Sequence, residues 1–248
     1  RRASLPTDRT GQTARSISKP MTQQNRAPIG PRNALLDQLS RSGAFAAPEQ
    51  LPCFGERLSR LFGLGDTMTL DAAIGYRAKQ PGTPQGAVVD RLTDELATIR
   101  RALVQRIRGF GSGLEFDGEP ELEAALNAWL ALQRKVAANS RQLRDKVRKS
   151  MKDQGPKLAH LAELDAVFDQ TMAGYTAQCF SHIPKVLEQR FEHRSITPEQ
   201  SPTPAKTADW FHRYCEEAQS LLLAELDVRL EPVLGLLEAC HKEVNNTP

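Results

Sequence analysis

Two residue pairs in this 248-residue sequence could hold a metal, Cys179-x-x-His182 and His212-x-x-Cys215. Positions i and i+3 share one face of a helix, so each pair could point a thiolate and an imidazole the same way. If the two faces met, they would supply tetrahedral Cys2His2 ligation for Zn²⁺. The competing reading is buried helical cysteines beside half-exposed histidines. Zinc motifs usually hold at least one pair on a tight turn, whereas these pairs flank a proline-rich stretch with no turn glycine. The competing reading leads, and no metal or other cofactor is expected. Cys240 and His241 are sequence neighbours pointing to different sides of a helix, a poor geometry for a nucleophile and its base. Cys53 and His160 have no evident partner in the sequence.

The densest charge in the body runs from Arg141 to Lys152. Arg141, Arg144, Arg148 and Lys152 fall on one helical face, a ladder that could track phosphates or meet an acidic partner surface. A solvated helix exterior explains the same pattern, since positive charge suits a helix C-terminus. No aromatic residue interleaves with the charges, which leaves stacking on single-stranded bases without support. Gly109, Gly111 and Gly113 follow a helical pattern rather than a strand and lack a following Lys-Ser/Thr, so they read as a turn and not a phosphate cradle. Glu216 and Glu217 sit in ordinary helix-surface contexts. No catalytic set emerges, and the chain reads as a non-enzyme.

The elements that must position these residues are helices. Apolar positions recur at three and four, and no stretch alternates long enough for a sheet. Asn33 can cap a short helix bearing Leu35, Leu36 and Leu39. A second helix, after Pro52, carries Phe54, Leu58, Leu61 and Phe62 and stops at Gly63 and Gly65; a third begins near Thr67 or Thr69. Together these make a small helical unit over 33–80, followed by a loop rich in proline and glycine. From Ala87 to Phe110, Val89, Leu92, Leu96, Ile99, Leu103 and Ile107 draw one narrow stripe, the mark of a bundle helix. A helix of over 30 residues is expected from Pro120 to about Asp153. Gly155 and Pro156 break it, and the next runs toward Phe180 before Pro184 ends or kinks it. These helices form a bundle over 87–194. A Pro-rich linker at 195–207 leads to a final helix over 208–245 that packs on the bundle, with Pro232 as a kink. The pentapeptide Leu161-Ala162-Glu163-Leu164-Asp165 recurs as Leu223-Ala224-Glu225-Leu226-Asp227, a coincidence of helix formers rather than a repeat. The expected class is all-α: a small N-terminal helical unit, then an elongated bundle of long helices.

Composition agrees with a packed chain, with 40% hydrophobic and 25% charged residues, while 6% aromatics and a mean hydropathy of −0.47 lean toward helices with much exposed surface. The net charge of +3 is unevenly placed. Residues 1–32 hold Arg1, Arg2, Arg9, Arg15, Lys19, Arg26 and Arg32 against Asp8 alone, which makes the remainder slightly acidic. So polar a segment cannot bury enough surface to offset its ordering entropy, and 1–32 reads as a flexible basic tail. Its Arg- and Ser-rich composition resembles a transit peptide, but the amphipathic apolar face is missing. No apolar run approaches the roughly 20 residues that cross a bilayer, and no secretory leader opens the chain. With 4 cysteines and no C-x-x-C pair, the expected setting is the reducing cytoplasm.

Phe54-Gly55-Glu56-Arg57-Leu58 through Asp66, followed by Leu70-Asp71-Ala72-Ala73-Ile74, resembles the opening pattern of the proteobacterial domain-of-unknown-function family 3348. The runs Leu158–Gln170, Ile183–Glu192 and Leu222–Ala239 are similar to its C-terminal half. The resemblance covers about residues 33–243 and carries no activity or site residues with it. Members tend to be encoded near MotA/TolQ/ExbB-like proton-channel proteins and OmpA-like peptidoglycan-binding proteins. What it implies is a scaffold or adaptor in an envelope-associated, ion-driven assembly, a cytoplasmic accessory on the inner face of the membrane. The expected partner is a protein, a membrane-anchored proton-channel-like complex, with self-association through helix seams a further option. Nucleic-acid binding through the basic tail and the 141–152 face is the alternative.

Overall fold

The computed structural model describes the chain at Leu35, Leu39 and residues 61–77, 82–114, 119–195 and 204–246, where apolar spacing of three and four builds α-helices joined by short turns. The elements are α1 (Leu64–Ile74), α2 (Gly86–Arg108), α3 (Leu122–Met151), α4 (Pro156–Phe180), α5 (His182–Ser195) and α6 (Pro204–Asn245). No strand occurs among the described residues, so the all-α class holds. Asn33–Pro248 form one unit. The tail expected at 1–32, the helix after Pro52 up to Arg60, and most of the 195–207 linker lie outside the described residues. Leu35 and Leu39 are helical and buried, as the first predicted helix requires.

Several boundaries differ from the sequence reading, each for a local reason. α1 starts at Leu64 and contains Gly65, where the sequence suggested a stop. Asp66 Oδ2 accepts the Gly63 N–H at 2.9 Å and so caps the helix early. Thr67 and Thr69, the expected starts, instead turn their hydroxyls back to the Gly63 and Gly65 carbonyls at 3.0 and 2.9 Å. The break between α4 and α5 falls at Ser181, and Pro184 sits in the first turn of α5, where its missing N–H leaves no bond unmade. For the same reason α6 begins at Pro204, inside the expected linker. Pro232 lies within α6 without ending it, and leaves the Val228 carbonyl without its intrahelical donor.

α6, 42 residues long, is the helix around which the others pack. Leu221, Leu222, Ala224, Glu225 and Leu226 are all buried, and no single helix face can hold that set. It meets α2, α3, α4 and α5, with α3 giving the largest seam. Along α3 the buried Trp129, Val136, Leu143, Val147 and Met151 face it, and Trp129 Nε1 donates to the Ala218 carbonyl at 3.0 Å. The α2 stripe buries Val89, Leu92, Leu96, Leu103 and Ile107, with Ile99 half-buried at its edge. Phe191 of α5 meets Trp210 and Tyr214 edge-on, with centroids 4.9 and 5.2 Å away, which joins α5 to the start of α6.

The turn after α2 is tied to α6 by close approach. Gly111 has φ +94°, and a Cβ there would stand 2.6 Å from Cys215 Sγ. Gln219 Nε2 donates to the Phe110 carbonyl at 2.8 Å and fixes the same corner. Gly111→Ala is therefore expected to cost about 2 kcal/mol or more in chemical denaturation. In a Cys215→Ala background the cost should fall toward the roughly 1 kcal/mol of the left-handed backbone alone. An equal cost in both backgrounds would show that the contact with Cys215 plays no part.

Candidate functional site

The Gly155–Pro156 corner, with Gly155 at φ +110° and Pro156 opening α4, folds α4 back antiparallel to α3. That reversal brings the basic ladder of α3 against Asp165 and Asp169, one turn apart on α4. Arg144 grips Asp165 with two bonds, Nε to Oδ2 at 2.8 Å and Nη2 to Oδ1 at 2.6 Å, and reaches Asp169 Oδ1 with Nη1 at 2.6 Å. Arg148 Nη1 contacts Asp165 Oδ2 at 3.2 Å and Asp169 Oδ2 at 3.0 Å, while Nη2 pairs with Asp145. Side-chain exposure of 16% for Arg144, 11% for Arg148 and 13% for Asp165 places these charges in a low-dielectric setting where pairing matters. Burial works against the Arg148 charge, but Asp145, Asp169 and Asp165 outweigh it and hold the guanidinium above its ordinary range. Lys152 pairs with Glu163 at 2.5 Å, and Arg141 is exposed.

About three turns back along α3, at Gln133, lies a second polar group. Glu225 of α6 is fully buried. Gln133 Nε2 donates to its Oε2 at 2.8 Å, and Arg229 Nε donates to its Oε1 at 2.7 Å. Burial raises the Glu225 carboxyl above its ordinary value, opposed by the Arg229 charge and the Gln133 bond. The Arg229 guanidinium also lies 4.0 Å from the centroid of Phe180, at the end of α4.

Between the two groups α3, α4 and α6 leave a cleft of about 660 Å³. Small side chains, Ala137, Ala173 and Ala177, keep it open, and Phe180, Val228 and Pro232 give it an apolar end. Arg141, Arg144, Arg148 and Arg229 line it, as does Ser140, only 4% exposed, whose hydroxyl has no hydrogen-bond partner. The arrangement is rich in donors beside an apolar wall.

The Cys and His pairs are not assembled into a site. Among the described residues no group of three or more His, Cys, Asp or Glu could hold a metal ion. Cys215 is buried against Gly111, and burial pushes its thiol up to about 11. Cys179 and His182 are half-buried, while His212 is exposed beside Glu216 at 3.4 Å. Cys240 is buried with its thiol likewise raised to about 11, and His241 Nε2 lies 3.2 Å from Thr93 Oγ1. Cys53 lies outside the described residues. Asp165, Asp169 and Glu225 were missed by sequence reasoning; the i, i+4 spacing of the two aspartates was the available signal, and Glu225 gave none.

Arg148→Ala is expected to lower stability by about 2 kcal/mol in urea denaturation, because it removes charged hydrogen bonds and leaves Asp165 and Asp169 to share Arg144 alone. Arg141→Ala should stay within about 0.5 kcal/mol. Equal small effects would mean that the ladder is a solvated face after all.

The family whose profile matches the chain is Protein of unknown function (DUF3348), over residues 21–242. Neither the curated proteins nor the solved structures give a match. The match begins twelve residues before the 33–243 span expected from the sequence, inside the segment read as a tail, and with most of its length matched the chain belongs to the DUF3348 family.

Proposed function

We propose that the chain is a non-enzymatic helical adaptor that docks a protein partner on the outer side of α1 and α4. The observation that carries this reading is the excess of apolar surface on those helices. α4 bears apolar residues around most of its circumference, where α2 carries one stripe. α1 covers part of α4, with Phe62 edge-on to Phe168 at 5.5 Å and Thr171 Oγ1 donating to Asp66 Oδ1 at 3.2 Å. The outer groups stay open: Leu64 is 81% exposed and Met68 68%, and Ile74, Phe168 and Tyr175 are exposed as well. Helices apolar on several sides are normally covered, and large exposed apolar patches mark interaction sites. An amphipathic helix of the partner is the natural cover.

The setting that best suits such an adaptor is the inner face of a membrane, as a cytoplasmic accessory of a proton-channel-like, envelope-associated assembly. No helix among the described residues is long and apolar enough to cross a membrane. The basic residues of 1–32 would steer encounter with an acidic partner or anionic lipid. Nucleic-acid binding has less support, because Arg144, Arg148 and Lys152 are paired within the chain.

The test is binding of the purified chain to the cytoplasmic segments of a proton-channel-type protein from the same host. Leu64→Glu with Met68→Glu should weaken it at least tenfold, about 1.4 kcal/mol. Stability should change by no more than about 0.5 kcal/mol, since both residues are exposed. Unchanged binding by this variant would refute docking on α1 and α4.

A further inference from the structure

We propose that the outer groove between α2 and α3 docks an acidic amphipathic helix of a protein partner, its apolar side chains entering the hollow at the α2–α3 turn and its carboxylates meeting Arg106 and Lys135. This surface is distinct from the outer side of α1 and α4 and does not rest on docking there. The ion pair between Lys146 of α3 and Glu95 of α2, 2.7 Å from Nζ to Oε1, sets the register of the groove. The two helices run antiparallel, so eleven residues along α2 and eleven back along α3 bring Arg106 opposite Lys135, about 16 Å from that pair. Both line the hollow. About one turn beyond the pair in the other direction, Arg91 comes near Lys149.

Arg91, Glu95, Thr98, Ala102 and Arg106 keep to one face of α2, and Lys135, Ala138, Gln142, Lys146 and Lys149 keep to one face of α3. Glu95 is the one acid in this set, and Lys146 neutralises it. Arg91, Arg106, Lys135 and Lys149 are exposed and have no carboxylate partner among the described residues, whereas Arg144, Arg148 and Lys152 are paired on the α4 side.

Charge and shape together select the occupant. Unpaired cations without an unpaired acid favour an acidic surface. A solvated exterior would explain those cations, but not the hollow of about 590 Å³ beside two of them. Phe110, Leu114 and Leu132 line it together with the small Ala128 and Ala131, so it suits apolar side chains. A phosphate backbone has none to offer. A bilayer-binding face normally inserts aromatic or long aliphatic groups, and between its cations this groove exposes Thr98, Ala102, Ala138 and Gln142 instead. Such short side chains let a third helix lie close. The fifteen residues from Arg91 to Arg106 span about 22 Å, four turns of a docked helix.

The experiment is fluorescence anisotropy of the full chain with a labelled amphipathic peptide of about 20 residues, leucines on one face and glutamates in both terminal turns. A control peptide carries lysine at every glutamate position. Saturable binding of the acidic peptide is expected, at least about tenfold tighter than the control and weakened by salt. Arg106→Gln with Lys135→Gln should weaken it about tenfold, and Ala131→Trp, which fills the hollow, at least as much, with thermal melts matching the parent. Arg141→Gln, on the α4 side of α3, should bind like the parent, as should Leu64→Glu with Met68→Glu. The proposal is overturned if the acidic peptide does not saturate, or if the double glutamine variant binds like the parent, which would move binding to the basic residues of 1–32. It is overturned as well if Arg141→Gln weakens binding equally, or if phosphatidylglycerol vesicles bind and the acidic peptide does not.

Discussion

Burying the Glu225 carboxylate is the constraint on which the rest of the bundle depends. An ionised carboxylate taken out of water is costly unless its oxygens are met, and here one is met by Gln133 from α3 and the other by Arg229 from the next turn of α6. Sliding α6 along α3 would carry Glu225 away from Gln133 and leave the charge uncompensated. The apolar seam alone, made of Leu, Val and Ala, would tolerate such a slip far better, because one aliphatic contact replaces another at similar cost. Gln133 also reaches the Phe180 carbonyl at 3.4 Å, so the same group ties in the end of α4. The register of three helices follows from one buried acid.

That register decides what the surface can do. With α3 and α4 aligned by the corner at Gly155, the arginines of the ladder meet Asp165 and Asp169 rather than solvent. Most of the body's concentrated positive charge is thereby neutralised inside the chain, and apolar surface on α1 and α4 remains outward.

The helical class and the α2 stripe were legible because a half-buried helix writes its environment into its spacing. α4 was legible as a helix but not as an orientation, since residues apolar on several sides do not say which side faces the core. The helix starts at Leu64 and Pro204 were missed where a cap or a proline, not periodicity, sets the boundary. The repeated pentapeptide shows the limit most plainly. Glu163 is half-buried and pairs with Lys152, while Glu225, in the same local sequence, is wholly buried; Asp165 is gripped by two arginines, while Asp227 sits exposed with Arg100 at 3.0 Å. The common face of the ladder is local, but its partners on α4 lie 11–25 residues further along and could not be assigned without the turn.

The central claim is that Glu225 is a buried carboxylate whose ionisation works against folding. Its folded value lies above the ordinary 4.5, so the stability it lends in the protonated form is present below that value and is lost as pH rises through the folded one. The most direct measurement is the melting temperature of the parent and of Glu225→Gln from about pH 4 to pH 8. The account predicts that the glutamine variant gains on the parent as pH rises through this range. A difference that stays constant with pH would contradict it, since it would mean that the Glu225 carboxyl titrates alike in the folded and unfolded chain.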